Sequence, residues 1–282
     1  MKLARFTLSG STRIGKVVGE RIVDLSGVPG VTGSMRQVLT DLPALRSALE
    51  AATGPDLALA EVTLEAPIAD PQKYLAIGMN YEAHAREAED AGIPRPKNQL
   101  WFNKQVSCIN GPFAPVEKPK VSDKLDYEAE LGVVIGTRCR HVAVQDARSV
   151  IAGYLVTNDV TVRDWQLRSP TYTLGKSFDT HGPIGPWITT DDEIADPHAL
   201  TMTLLLNGHE RQRTSTGDMI YNIYDQIAYL STVMTLEPGD VIATGTPANV
   251  GIATGTFMKA GDVVRVEIEG LGHIENPIVD EV

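Results

Sequence analysis

The sequence predicts an α+β fold in which β-strands predominate. Short β-branched and apolar runs, separated by Gly, Pro or Asp, recur through most of the chain, and few segments show helical spacing. There is no strand followed by a Gly-x-Gly-x-x-Gly turn, no P-loop and no internal repeat. A chain of 282 residues can bury one large core with a small appended domain.

Composition and charge exclude several classes of partner. The net charge is −11, and no segment concentrates Lys and Arg as a nucleic-acid surface requires. Arg5 interrupts the position of a signal-peptide apolar run, and no uncharged stretch is long enough to span a bilayer. We therefore expect a cytoplasmic protein without membrane or nucleic-acid partners. Cys108 and Cys139 are too isolated to predict a disulfide or a structural zinc site.

The N-terminal segment predicts a small β-rich domain over residues 1–68, followed by a larger domain over residues 69–282. KLARFTL, IGKVV and RIVDL read as strands joined by Gly-containing turns. After Ser34, the helical spacing of MRQVLTDLPALRSALEAA is interrupted by Pro43, which predicts two short helices or one kinked helix. The domain boundary is expected near Pro67 to Pro71.

Strands dominate the larger domain, with two helices among them. The runs expected to form strands are KYLAIGMNY, ELGVVIGT, YLVTNDVTV, PIGPWITT, LTMTLLLNG, DVIATG and DVVRVEIEGLG. NIYDQIAYLSTVM places Ile223, Ile227, Leu230 and Met234 on one apolar stripe, which indicates a core-facing helix. YEAHAREAEDAG is rich in Ala and Glu and ends at Gly92, so a second helix is expected there.

Two glutamates at the start of a predicted strand form a candidate cation site. Glu128 and Glu130 in LDYEAELGVVIG are two residues apart, so their carboxylates project from one face of a strand. Like charges this close repel unless they are solvated or share a cation, and the strand that follows is apolar. An exposed glutamate pair at a strand's start is the competing interpretation.

Asp159 adds a third carboxylate at the end of an apolar strand in YLVTNDVTVRDWQ. Three carboxylates without His or Cys form an all-oxygen set, which suits a hard divalent ion such as magnesium and disfavours zinc. A turn-forming Asp beside Asn158 is the alternative.

Other polar residues could serve an anionic substrate. Lys176 in LGKSFDTHGPIGP could meet an anion or a developing enolate, and Thr244 and Thr246 in DVIATGTPANVG could bind a carboxylate. Taken singly, they also read as a surface lysine and an ordinary turn. His84 and Glu87 share a helix face and could form a water-activating dyad, although such pairs are usually helix surface.

In this order, AIGMNYEAHAREA, DYEAELGVVIG, NDVTVRDWQ, LGKSFDTHGPIGP and ATGTPANVG resemble the fumarylacetoacetate hydrolase family over about residues 70 to 280. The resemblance implies a mixed β-roll catalytic domain, typically a homodimer, that binds magnesium or manganese. It implies metal ligation by Glu128, Glu130 and Asp159, substrate binding by Arg163, Gln166, Lys176 and Thr246, and a His84 and Glu87 pair on a lid helix. Lys104 and Ser107 also match family positions near the site.

The resemblance and the residues together predict magnesium-dependent hydrolysis of a carbon–carbon bond in a 2,4-dioxo acid of the acylpyruvate type. His84, oriented by Glu87, would deprotonate the attacking water, and Lys176 would help to stabilise the pyruvate enolate that leaves. Decarboxylation of oxaloacetate or another 2-oxo diacid is the first alternative, and isomerases and hydratases also belong to the family. A metal-dependent binding protein without catalysis is an alternative of another class.

Overall fold

A computed structural model describes all residues from 1 to 282. It confirms an α+β fold in which strands predominate. Nineteen strands and six helices follow one another along the chain. The strands are β1 Lys2–Leu8, β2 Ser11–Val18, β3 Arg21–Asp24, β4 Asp56–Ala58, β5 Thr63–Glu65, β6 Tyr74–Gly78, β7 Leu100–Lys104, β8 Ile109–Asn110, β9 Val116–Lys118, β10 Leu125–Asp126, β11 Ala129–Ile135, β12 Ile151–Asn158, β13 Thr161–Val162, β14 Gly182–Thr190, β15 Thr201–Leu206, β16 His209–Ser215, β17 Val241–Ala243, β18 Val263–Ile268 and β19 Gly272–Asp280.

The helices are short, and their ends have local causes. They are α1 Met35–Thr40, α2 Leu42–Ala51, α3 Glu82–Asp90, α4 Arg163–Gln166, α5 Ile223–Val233 and α6 Gly251–Thr254. The expected break in the first helical segment falls at Asp41, and Pro43 lies in the first turn of α2, where its missing N–H has no helical acceptor to lose. Asn222 caps α5 by accepting hydrogen bonds from the backbone N–H groups of Tyr224 and Asp225, at 2.8 and 3.0 Å.

One large sheet and one smaller sheet form the framework. The large sheet has twelve strands, ten of them in the order β4-β3-β2-β1-β14-β12-β11-β17-β6-β7, with β5 on β1 and β8 on β14. The smaller sheet has the order β16-β15-β18-β19-β9, and β10 pairs with β13. The central strands β11 and β12 are buried along their whole length, which explains why both read as continuous apolar runs.

The hydrophobic core lies on both sides of the large sheet. On one side, Val133 and Tyr154 belong to a cluster with Leu204 and Val266 of the smaller sheet and with Ile227 of α5. On the other side, a second cluster joins the large sheet to helices α1 and α2. No helix is both long and apolar enough to cross a membrane.

The N-terminal strands continue the large sheet. Strand β1 pairs antiparallel with β14, with Lys2 opposite Thr189 and Leu3 opposite Ile188. The N-terminal amino group lies 3.0 Å from Glu193 Oε1. The two predicted domains therefore share a sheet and a core cluster, while the division between residues 68 and 69 stays a prediction.

A buried histidine just before β14 gives the fold a pH dependence. His181 is fully buried, its Nε2 lies 2.8 Å from the Glu117 carbonyl oxygen, and its Nδ1 has no hydrogen-bond partner. Burial lowers the pKa of His181 to about 3, whereas a histidine in an unfolded chain titrates near ~6.5. The unfolded chain therefore binds a proton that the folded chain does not, and stability falls as the pH drops from about 6.5 towards 3.

We predict that His181→Gln flattens the decline of the unfolding free energy between pH 7 and 4, because glutamine can keep the N–H donor without titrating. Urea unfolding at a series of pH values measures the slope. His209→Gln, at an exposed position, is the matched control and should leave the slope unchanged. Parallel curves for His181→Gln and the unaltered protein would contradict this assignment.

Candidate active site

Antiparallel pairing of β11 with β12 brings the three predicted metal ligands together. Glu130 lies opposite Thr157 in this pair, Glu128 immediately precedes β11 and Asp159 immediately follows β12. The backbone N–H of Asp159 donates to the Glu128 carbonyl at 2.9 Å. One carboxylate oxygen from each of Glu128, Glu130 and Asp159 lies within 4.8 Å of the others.

All three carboxylates are buried, with exposed fractions of 4% for Glu128, 1% for Glu130 and 0% for Asp159. The alternative of an exposed glutamate pair is therefore wrong. Asn158 also serves the site, because its Oδ1 accepts a hydrogen bond of 2.9 Å from the Glu128 backbone N–H. Buried carboxylates require compensation by cations or hydrogen-bond donors.

Two buried lysines supply part of that compensation. Lys176 Nζ lies 2.7 Å from both Glu128 Oε2 and Asp159 Oδ2. Lys104 Nζ lies 2.7 Å from Asp159 Oδ1 and also contacts the Lys176 carbonyl oxygen. Both lysines are 1% exposed, so the interpretation of Lys176 as a surface lysine is wrong. Ser107, in contrast, is exposed.

The cations are distributed unequally over the carboxylates. Burial alone would raise the pKa of Glu128, but Lys176 and Arg163 hold it at about 2. Glu130 has no such ion pair, and its hydrogen-bond donor is the Gly245 backbone N–H at 2.7 Å. Burial, together with the charges of Asp159 and Glu128, raises the pKa of Glu130 well above its usual value.

This arrangement fits a divalent cation. The donor set consists of converging carboxylate oxygens, which hard ions such as Mg²⁺ and Mn²⁺ accept. Burial and the neighbouring carboxylates raise the pKa of Glu130, and a cation bound beside it would act in the opposite direction. Glu128, Glu130 and Asp159 are therefore the residues that could hold a metal.

Arg163 connects two of the buried carboxylates to Gln166. Its Nε lies 2.6 Å from Asp126 Oδ2, and its Nη1 donates to Gln166 Oε1 at 3.0 Å. Its Nη2 lies 2.7 Å from Glu128 Oε1, which is an ion-pair distance. Arg163 therefore compensates the charges of Asp126 and Glu128 and holds Gln166 in place.

Asp126 is a site residue that the sequence interpretation did not single out. It is fully buried, and besides Arg163 it accepts hydrogen bonds from the backbone N–H groups of Gly251 and Ile252, at 2.6 and 2.8 Å. The Asp-x-Glu-x-Glu spacing from Asp126 to Glu130 was the available signal. Asp126 therefore fixes Arg163 and the start of α6 relative to the start of β11.

The predicted His84 and Glu87 pair forms on α3. His84 Nδ1 lies 3.0 Å from Glu87 Oε2, and Glu87 Oε1 accepts a hydrogen bond of 3.0 Å from the Asn249 backbone N–H. When Nδ1 carries the proton and donates to Glu87, Nε2 is left as the basic nitrogen. Glu87 thus orients His84 and ties α3 to the loop after β17.

That loop carries the predicted threonines, and only one of them faces the cavity. Thr244 Oγ1 donates a hydrogen bond of 2.9 Å to the Leu131 carbonyl, so this hydroxyl is bonded to the backbone of β11. Thr246 Oγ1 accepts a hydrogen bond of 3.1 Å from Gln212 Nε2. Gln212, on β16, also accepts from the Ala129 backbone N–H at 3.0 Å. This buried glutamine therefore positions the loop against β11, and the sequence interpretation missed it.

A single cavity collects most of the predicted site residues. Its walls include the side chains expected to carry out catalysis and substrate binding: His84, Glu87, Glu128, Arg163, Gln166, Lys176 and Thr246. Glu130 and Asp159 do not line the cavity and are almost fully buried. The structure thus brings the predicted residues into one region, while their roles stay predictions.

The fold, and a cavity lined by carboxylates, cations and a His–Glu pair, are those of an enzyme. The chain belongs to the fumarylacetoacetate hydrolase family. The sequence model described as fumarylacetoacetate (FAA) hydrolase C-terminal matches residues 73–279, and a second, Rv2993c-like N-terminal, matches residues 1–67.

Individual relatives are similar over nearly the whole chain. A Burkholderia cenocepacia (strain HI2424) protein named "Putative hydrolase" is 45% identical over 279 residues, which is 96% of each chain. The maleylpyruvate hydrolase from Sphingobium sp. SYK-6, solved with manganese(II) and pyruvate, is 36% identical with a TM-score of 0.87, and all of both chains is covered. Fumarylacetoacetate hydrolase from Exiguobacterium antarcticum is 35% identical with a TM-score of 0.88, again over all of both chains.

We predict that Glu130→Gln weakens binding of Mn²⁺ by at least ~10- to 100-fold, the loss that residues merely supporting metal ligands already cause. Glutamine keeps the size of the side chain but removes the charge that a cation would neutralise. Calorimetric titration of the metal-free protein with Mn²⁺ and with Mg²⁺ provides the measurement. Glu267→Gln, exposed on β18, is the control, and equal affinities for the two variants would exclude Glu130 as a ligand.

Proposed function

We propose that this protein is a magnesium- or manganese-dependent hydrolase that cleaves a carbon–carbon bond in a 2,4-dioxo acid of the acylpyruvate type. The products are pyruvate, or a related 2-oxo acid, and a carboxylic acid. The observation that carries this proposal is the oriented His84 and Glu87 pair in the same cavity as Glu128 and Lys176. A relative solved with manganese(II) and pyruvate supports the choice of product and metal.

Glu128, Glu130 and Asp159 would hold the metal. When bound, it supplies a Lewis acid for the 2-oxo acid end of the substrate and stabilises negative charge that develops there. The remaining chemistry belongs to side chains of this chain.

The acid end of the substrate binds at the polar wall of the cavity. Arg163 lines this wall, and its positive charge, already paired with Asp126 and Glu128, also attracts a substrate carboxylate. Gln166 is held by Arg163 Nη1, and Thr246 by Gln212. These contacts fix both side chains before the substrate arrives, which favours binding in one orientation.

His84 acts as the general base. Its Nε2 takes a proton from a water molecule while Glu87 holds Nδ1 and stabilises the imidazolium that forms. The water oxygen adds to carbon 4 of the substrate. The bond between carbons 3 and 4 then breaks, its electron pair passes to carbon 3, and the resulting pyruvate enolate takes up a proton while His84 releases the one it accepted. Lys176, cationic and buried, stabilises the negative charge of this enolate.

We predict that His84→Ala lowers kcat for an acylpyruvate by about 10²- to 10⁴-fold, the usual contribution of a positioned general base. Pyruvate release from 2,4-dioxopentanoate, measured with saturating Mg²⁺ or Mn²⁺, reports the change. Glu89→Gln, an exposed substitution on the same helix, should retain the activity of the unaltered protein. Unchanged turnover in His84→Ala would remove the water-activation role.

The same assay separates hydrolysis from the decarboxylation and isomerisation found elsewhere in the family. Oxaloacetate and other 2-oxo diacids are tested beside the 2,4-dioxo acids, with carbon dioxide, pyruvate and the second acid quantified. Hydrolysis yields pyruvate and a carboxylic acid in equal amounts without carbon dioxide. Release of carbon dioxide as the main product would reject the proposed reaction.

A further inference from the structure

The cavity has a polar part and an apolar part, and the change from one to the other occurs in three separate segments. On α3, His84 and Glu87 are followed by Ala88, Ala91 and Ile93, which also line the cavity. From His84 to Ala91 is seven residues, or roughly 10 Å along a helix at ~1.5 Å per residue. The wall formed by this segment therefore becomes apolar beyond the proposed base.

The facing segments repeat this order. Gln166, which lines the polar part, is followed directly by Leu167, and Thr246 is followed by Val250 and Ile252. Leu167 is 58% exposed and Ile252 is 43% exposed, so they form an apolar rim at the opening. Leu100, Phe102 and Tyr172 are among the other residues of the apolar lining.

The apolar part offers no free cation. The lysine and arginine side chains that line the cavity are Arg163 and Lys176, and both are engaged with Glu128 at the polar end. Arg86 and Arg95 form ion pairs with Glu82, Arg168 beside Leu167 stacks on Trp165 at 3.8 Å, and none of the three lines the cavity. A second carboxylate that lies against the apolar lining would therefore lose part of its hydration without gaining a partner.

We propose that the substrate carries an uncharged, apolar acyl group, such as a linear alkyl chain of several carbons, and that a terminal carboxylate on this group is selected against. The acyl group lies between α3 and the rim formed by Leu167 and Ile252, while the 2-oxo acid end lies against Arg163 and Lys176. This inference rests on the proposed function for the reaction, but the selection against a second charge can be measured separately.

Steady-state kinetics with length-matched substrates tests the inference. We expect kcat/KM to rise from 2,4-dioxopentanoate to 2,4-dioxononanoate by up to about fourfold per methylene, the value of burying one such group. The corresponding dicarboxylate, 2,4-dioxononanedioate, should be hydrolysed with a kcat/KM at least about tenfold below that of 2,4-dioxononanoate. Equal or faster hydrolysis of the dicarboxylate would overturn the inference.

A cation placed at the rim should reverse the preference. Leu167→Arg changes an exposed side chain and provides a partner for the terminal carboxylate, so the ratio of the two kcat/KM values should shift towards the dicarboxylate by about tenfold or more. Leu174→Arg is the matched control, because Leu174 is 61% exposed and does not line the cavity. An equal shift in both variants would indicate general electrostatic attraction and overturn the placement of the acyl group.

Binding without turnover separates this inference from the reaction itself. In calorimetric titrations with Mn²⁺ present, 2-oxooctanoate should bind at least about tenfold more tightly than 2-oxooctanedioate. If no 2,4-dioxo acid is hydrolysed but this preference is found, the proposed function fails and the apolar subsite stands. If hydrolysis occurs but the diacid binds as tightly as the monoacid, the proposed function stands and the apolar subsite fails.

Discussion

The burial of four carboxylates beside one pair of strands is the constraint on which the rest of the site depends. Asp126, Glu128, Glu130 and Asp159 are at most 4% exposed. An unpaired charge in such a place costs several kcal/mol, which is a large part of the total stability of a small domain. Lys104, Lys176 and Arg163 compensate most of this charge from three different chain segments. The carboxylates are therefore compensated in this way only when all three segments are in their final positions.

This network also determines which residues can be replaced without loss of the site. Glu128 is shared by Lys176 and Arg163, and Asp126 is shared by Arg163 and the first backbone N–H groups of α6. Because neighbouring charges share partners, the effects of two substitutions on stability should not add.

Gly245 is a backbone position that the site also requires. Its φ is +99°, and a Cβ at this position would lie only 2.7 Å from Asn80 Cβ. Larger residues are therefore excluded at the position whose backbone N–H donates to Glu130.

The sequence predicted the strands that are buried and β-branched, the helix pair interrupted near Pro43, and helices α3 and α5. It did not predict β16, because HERQRTS is polar and only its pairing with β15 makes it a strand. In the site, carboxylate spacing and the family resemblance identified the residues with obvious chemistry. Gln212 was missed because a lone glutamine in a polar run has no local signal, and its burial arises from contacts with residues more than thirty positions away.

Glu87 has two hydrogen-bond partners on different chain segments. One of its oxygens contacts His84 on the same helix, and the other accepts the backbone N–H of Asn249 from the loop after β17. The contact that ties α3 to this loop therefore also helps to fix the orientation of the proposed base. Displacement of the loop would leave one Glu87 oxygen without its donor and His84 less firmly oriented. The geometry of the proposed base is thus tied to a backbone N–H group that lies 162 positions along the chain from Glu87.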